Sequence, residues 1–291
     1  MKLISRNSVM VVVMLIVLAA APAWADPVIN LGDSWSAFGH DQLANKFPAG
    51  INISNFGFPG ATAQAFASDP VGINWVNSAL AANPDAQYMY LSVGGNDLLF
   101  QYSVGNGANA AAIIDTYTRM LIDNILAQRP ALQIVLPGYD FPNFEKEVAC
   151  IAEGFLVFGT PLALTINPIF LACIRDVQAN IAASYSNVTA VDAFYTLQIA
   201  GGTPGAPNPL MPSPASLMGG DGDCIHANSQ GYNHFTGAIY DAYFLPIYGA
   251  GGCMVMQSSN AADSGMVLVL IGLLCLGTVT GFVFFARRRQ R

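Results

Sequence analysis

Val28-Ile29-Asn30-Leu31-Gly32-Asp33-Ser34 reads as a short apolar strand running straight into a Gly-Asp-Ser turn. Four more runs of the same kind follow. Ile51–Asn55 enters Gly57-Phe58-Pro59-Gly60, and Tyr88–Val93 ends at Gly94-Gly95. Gln133–Leu136 ends at Pro137-Gly138, and Val188–Val191 ends at Asp192. Near-continuous apolar strands suit a parallel sheet covered on both faces, because neither side of such a strand meets water. Helical patterns lie between them. Ala110–Gln128 repeats apolar residues at Ile114, Tyr117, Leu121 and Ile125, with Ile113 and Met120 widening the stripe. Asn228–Leu245 gives a further helix. Alternation of strand and helix predicts an α/β fold, a flavodoxin-like three-layer α/β/α sandwich around a mainly parallel five-stranded sheet. Ligands of such sheets bind outside the carboxyl ends of the strands.

The two ends of the 291-residue chain read differently from this middle. Lys2 and Arg6 precede an uncharged run from Val9 to Ala21, and Ala23-Trp24-Ala25 offers small residues for cleavage. Residues 1–25 are therefore expected to be a signal peptide. Met266 to Ala286 is uncharged and apolar, long enough at about 1.5 Å per residue to cross ~30 Å of hydrocarbon. Arg287, Arg288, Arg289 and Arg291 follow, so 287–291 is expected to be a basic cytoplasmic tail. The domain, 26–250, and a spacer, 251–265, then face away from the cytoplasm. Two readings of the tail compete, a permanent anchor and a signal removed after export. The second rests on a resemblance to bacterial sorting tails of the PEP-CTERM kind, which implies a sorting protease as partner, although the Pro-Glu-Pro motif is missing.

All 18 acidic residues fall in 26–264 against five basic ones, Lys46, Arg119, Arg129, Lys146 and Arg175, a net of −13. That charge repels phosphate backbones and argues against nucleic acid as a partner. A monomer is expected. Cys150, Cys173, Cys224 and Cys253 form an even set in an oxidising compartment, which favours disulfides over metal ligation. Of the three pairings, Cys150–Cys173 with Cys224–Cys253 closes the shorter loops and is preferred. No C-x-x-C or zinc-type His spacing occurs, and neither a metal nor an organic cofactor is expected.

The Gly-Asp-Ser turn places Ser34 at a strand-to-helix junction, where Asp and Ser also serve as helix caps. A serine needs a base to become a nucleophile. Three further blocks stand at strand ends: Asn55-Phe56-Gly57-Phe58-Pro59-Gly60, Ser92-Val93-Gly94-Gly95-Asn96-Asp97, and Asp223-Cys224-Ile225-His226. In this order the four blocks resemble those of the SGNH/GDSL hydrolases, over about residues 28–245. The resemblance implies a serine ester hydrolase acting outside the cytoplasm on a small-molecule or lipid ester through an acyl-Ser34 intermediate. His226 is the implied base and Asp223 its orienter. Ser34 N–H, Gly60 N–H and the Asn96 amide are the implied oxyanion donors, with glycine suiting a close approach of backbone to substrate. Activity is then expected to fall on the acid side as His226 protonates.

Other assignments compete. His40 and His234 are read as structural or solvent-facing, and Asp221 is an alternative orienter, although the three-residue spacing favours Asp223. Gly219-Gly220-Asp221-Gly222-Asp223 faintly suggests a calcium loop but lacks further oxygen ligands. Trp35 stands where the family name has leucine, and either shapes the acyl pocket or packs. The apolar insert between Cys150 and Cys173 is either an acyl-chain lid or a helical hairpin extending the core. Two functions other than hydrolysis remain open: an inactive surface-anchored carbohydrate- or lipid-binding module, and acyl transfer to an acceptor other than water.

Overall fold

Strand β1, Val28–Gly32, is buried at all five positions, Asn30 among them, whose amide is satisfied by hydrogen bonds with Ser36. The computed structural model describes residues 27–249. The expected signal peptide, transmembrane helix and basic tail, and Cys253, lie outside the described residues. Within them β1 is followed by β2 (Ile53–Gly57), β3 (Tyr88–Ser92), β4 (Gln133–Leu136) and β5 (Val188–Ala190). Their order across the sheet is β2-β1-β3-β4-β5, and every pairing is parallel. Val28 stands opposite Ile53 on one side and Tyr88 on the other. The expected five-stranded parallel sheet is therefore observed. β2 begins two residues later than its apolar pattern suggested.

Helices cover both faces. α1 (Ser34–Ala44) packs against α10 (Ser229–Ile239). The other layer consists of α2 (Ala63–Ser68), α3 (Pro70–Ala82), α5 (Ala110–Gln128) and α8 (Asp176–Ala182), with α5 touching both α2 and α8. In α5 the buried stripe is Ile114, Thr118, Leu121, Ile122 and Ile125. Each apolar side chain on it contributes about 1.5–3 kcal/mol by leaving water. Met120, expected to widen that stripe, is 40% exposed because it lies about 140° around the helix from the centre of the buried positions. α10 gives way at Tyr240–Phe244 to a π turn and then to α11 (Leu245–Tyr248), since Pro246 cannot continue an α-helical ladder.

Gly32 fixes how closely β1 and β3 approach. Its φ is +153°, and a Cβ there would meet the Ser92 carbonyl oxygen at 2.2 Å. Only glycine permits this contact immediately before the nucleophile turn.

The connection from β4 to β5 holds α6 (Val148–Phe158), α7 (Ala163–Phe170), a π turn at Leu171–Arg175, and α8. Part of this insert extends the core, as one of its two sequence readings had it. Ile166, Phe170 and Ile174 join the core, whereas Val148, Phe155 and Leu156 stay exposed. Both preferred disulfides are corrected. Cys150 pairs with Cys224, 74 residues away, with a Cα–Cα separation of 5.4 Å. Cys173 is a buried free thiol, and burial pushes its pKa up. Loop length misled because Cys150 and Cys173 sit on separate helical elements, and α6 turns Cys150 towards the loop before α10. With Cys224 taken, the Cys224–Cys253 pairing is excluded.

Candidate active site

Because the order of strands reverses at β1, chain leaves β1 and β3 on opposite sides of the sheet and opens a crevice at their carboxyl ends. Ser34 follows β1 there as the first residue of α1, and is 6% exposed. Asp33 caps α1, its Oδ1 accepting from Trp35 N at 3.0 Å. Its other oxygen accepts from the Tyr139 hydroxyl at 2.5 Å. Capping and nucleophile placement are thus two effects of one Asp-Ser pair. Full burial pushes the Asp33 carboxyl up to about 7 against the opposing pull of the Tyr139 hydrogen bond. As a first-turn residue, Ser34 has an N–H without an intrahelical acceptor.

His226 Nε2 lies 2.7 Å from Ser34 Oγ, across 192 residues of sequence. Its Nδ1 lies 3.1 Å from each oxygen of Asp223. Nδ1–H facing the carboxylate leaves Nε2 as the acceptor from serine. Asp223 Oδ1 also accepts from His226 N at 2.9 Å and Ile225 N at 3.2 Å, so the carboxylate is oriented by the backbone of its own loop. That loop is closed at its base, where Gly219 N donates to His226 O and Met218 bridges Ala227.

The segment after β4 holds the loop from outside. Asn143 N donates to Cys224 O at 2.8 Å, and Lys146 Nζ donates to the carbonyls of Gly219 and Gly220 at 2.7 and 2.6 Å. Glu147 Oε1 accepts from Gly222 N at 2.6 Å, a bond that lowers the Glu147 pKa. The Cys150–Cys224 disulfide adds a covalent link between the two catalytic-loop candidates Asp223 and His226 and helix α6. The sequence offered a disulfide at Cys224 as a tie for this loop but with the wrong partner, and the hydrogen-bonded braces were not read from it, because each joins segments about 75 residues apart with no motif of its own.

Asn96 lies in the first turn of α4 (Gly95–Ser103), after a left-handed Gly94 that turns the chain out of β3. One N–H of its amide donates to Ala61 O at 2.9 Å, and the second remains for the site. Its neighbour Asp97 is 2% exposed and accepts from Ala63 N at 2.7 Å and Gln64 N at 3.2 Å, the first amides of α2. Burial raises the Asp97 pKa against these two bonds. Together Asn96 and Asp97 hold the loop that carries Gly60. Gly60 is exposed, with φ +83°, and no atom lies within 4 Å of a Cβ built there. Glycine is required at this position by the left-handed backbone rather than by crowding.

The crevice has about 310 Å³ of open space. Ser34, Asn96, Leu99, Tyr139, Phe170 and Ile225 are among the residues lining it, whereas Gly60 is not. The structure thus joins Ser34, His226 and Asp223 in one hydrogen-bonded chain, sets Asn96 on the same wall as Ser34, and leaves Gly60 on the adjoining loop. Trp35 packs, with its ring edge-on to Tyr139, Tyr232 and Phe235 at 4.9 to 5.7 Å, and it is also among the residues that line the crevice. His40 Nδ1 lies 3.4 Å from Asn30 Nδ2, and burial lowers its pKa, in keeping with a structural reading. His234 lies on α10 outside the hydrogen-bonded chain, and Asp221 is solvent-exposed with no part in it. Among the described residues no group of three or more His, Cys, Asp or Glu is placed to hold a metal.

No curated protein sequence matches the chain. Among solved structures it is similar to a Streptococcus pneumonia protein provisionally described as a platelet activating factor, at 15% identity and a TM-score of 0.50, covering 82% of this chain and 99% of that one. A member of the lipolytic protein G-D-S-L family from Veillonella parvula aligns at 16% identity and a TM-score of 0.47, over 76% and 99% of the two chains. A carbohydrate esterase family 3 protein from Talaromyces cellulolyticus aligns at 15% and 0.46, over 76% and 98%. Such identities speak to fold alone. Sequence is more specific: the profile of the GDSL-like lipase/acylhydrolase family matches residues 20–234, from before β1 to beyond His226. By that match the chain belongs to the SGNH/GDSL hydrolases.

Proposed function

We propose that this chain is a serine ester hydrolase in which Ser34 attacks the ester carbonyl and His226 takes its proton. The observation that carries the reading is the continuous chain from Ser34 Oγ through His226 to Asp223, at 2.7 and 3.1 Å. Attack forms a C–O bond from Ser34 Oγ and moves an electron pair onto the carbonyl oxygen. Ser34 N–H, at the start of α1, and the free Asn96 N–H stabilise that oxyanion, joined by Gly60 N–H once substrate draws its loop inward. Collapse expels the alcohol, which leaves with the proton held on His226. Water then attacks the acyl group, His226 takes its proton, and Ser34 departs protonated with release of the acid. Asp223 holds Nδ1–H throughout.

Leu99, Phe170 and Ile225 give the crevice an apolar wall, which supports an acyl group there rather than a sugar ring. The Cys150–Cys224 disulfide supports an exported protein, since such bonds persist in oxidising compartments. The apolar segment 266–286 supports attachment to a membrane.

Hydrolysis of p-nitrophenyl esters of increasing acyl length tests the reading. The full chain is expected to turn over, and Ser34→Ala to lose at least a thousandfold in kcat with its fold intact. Equal turnover by the two proteins would refute it.

A further inference from the structure

Helix α6 is amphipathic in the inverse sense. Val148, Ile151, Ala152 and Phe155 recur at the three- and four-residue spacing of one helical face, and all are exposed. Leu156 extends that face, 81% exposed, beside Val148 at 82%. The helix carries a single charge, Glu153, which is half-buried on a different side of the helix from these residues. A helix that hides its charge and shows its apolar side has no reason to face water. The α7 helix that follows has no charged residue, and it exposes Leu162 and Leu164 at its start while its last residue, Phe170, lines the crevice. One helix thus carries both exposed apolar residues and a residue of the crevice wall.

We propose that this α6–α7 face docks on a lipid bilayer and that the esters drawn into the crevice are those of membrane lipids. The proposal rests on the hydrolase reading for its substrate, but not for its docking. Two observations favour a bilayer over a second copy of the chain. Sixteen residues separate Gly249 from the apolar segment 266–286, a reach of at most about 55 Å, so an inserted segment keeps the domain beside a membrane. Secondly, the exposed α6 face contains no hydrogen-bonding or charged side chain with which a protein partner would fix an orientation. Val148–Phe158 and Ala163–Ala182 reach membrane-like hydropathy together, but they are bent by 55° and neither alone is both long and apolar enough to span, which suits lying in the interface rather than crossing it. The net of −13 over 26–264 predicts weaker docking on anionic lipid.

The test uses the full chain reconstituted in phosphatidylcholine vesicles, with an environment-sensitive fluorophore on Leu156→Cys in a Cys253→Ser, Cys275→Ser background. Doxyl-labelled lipid is expected to quench the fluorophore, and 30% phosphatidylglycerol to weaken the quenching. A fluorophore open to aqueous iodide, or shielded from iodide without doxyl quenching, would overturn the proposal, the second result pointing to another copy or to the tail as occupant. In parallel, Phe155→Ser with Leu156→Ser is expected to slow a vesicle-borne ester about tenfold, while a water-soluble p-nitrophenyl ester is cleaved as before. A wild-type chain that is quenched by doxyl-labelled lipid yet cleaves neither ester would count against the hydrolase reading and leave the docking in place. Equal rates on the vesicle-borne ester would sink the docking role.

Discussion

Asn96 shows how much a single side chain can be asked to do. One of its amide hydrogens holds the Ala61 carbonyl and the other is left for the oxyanion, so its removal both loosens the Gly60 loop and takes away a donor. Asn96→Ala is expected to lower kcat by about 10²–10³-fold with a smaller change in KM, the signature of a group that acts mainly in the transition state. Steady-state kinetics on one p-nitrophenyl ester decides it, and a change confined to KM would assign Asn96 to substrate binding instead. The same residue marks the limit of what the sequence reveals. Gly-x-Asn-Asp pointed to Asn96 as a donor, yet Asp97 beside it was passed over, because its role exists only once α2 has folded across from α4 to offer two amides. Gly60 was expected in a loop after β2 and lies there, with a second physical reason for glycine that the sequence does not show. Its backbone angle, not its bulk, demands glycine.

At the scale of elements, the loop from Gly219 to His226 depends on the segment Asn143–Cys150 for its shape. Hydrogen bonds from Asn143 and Lys146, the acceptor oxygen of Glu147 and the disulfide all converge on it. Cys150→Ser with Cys224→Ser is expected to cost about 2–5 kcal/mol of stability, the range for native disulfides in exported domains. It is also expected to reduce kcat more than it raises KM, because the freed loop carries both Asp223 and His226. Denaturant unfolding combined with kinetics measures the two effects, and full activity in a destabilised variant would show that hydrogen bonds alone suffice to hold the loop. The inner strands were legible from runs of mostly apolar residues, since burial on both faces leaves few polar interruptions, while β2 and β5 at the sheet edges stay partly exposed. The cysteine pairing was not. Short loops attract on entropic grounds, but a disulfide forms only where folded elements bring two Cβ atoms together, and α6 brings Cys150 to Cys224.

Across the whole molecule, two fully buried carboxyls, Asp33 and Asp140, are each pushed up to about 7 by desolvation. Asp140 accepts from the amides of Phe141, Tyr195 and Leu197 and so ties the end of β4 to the turn after β5. Between about pH 4 and pH 7 the folded protein retains protons that the unfolded chain has released. The stability these groups contribute is complete below their unfolded pKa and is lost as pH rises through 7. Asp33→Asn, which imitates the neutral acid, is expected to flatten its share of that slope. Comparing urea midpoints of both proteins at pH 5 and pH 8 tests this. Parallel curves would mean that Asp33 keeps its charge in the fold. Nothing in the sequence announces either shift, since a buried aspartate and a surface one are written with the same letter.

The distance in sequence between Ser34 and His226 has a consequence for how the protein is made. On the proposed reading, a chain emerging from its amino end delivers the nucleophile at Ser34 and the base 192 residues later. Until α10 has followed, Ser34 has no partner to deprotonate it, and Cys150 has no Cys224 to close upon. The nascent chain is chemically silent for nearly the whole of its synthesis. Reactivity towards esters arrives only with the last tenth of the domain, when covalent closure and the proton acceptor are supplied by the same short loop.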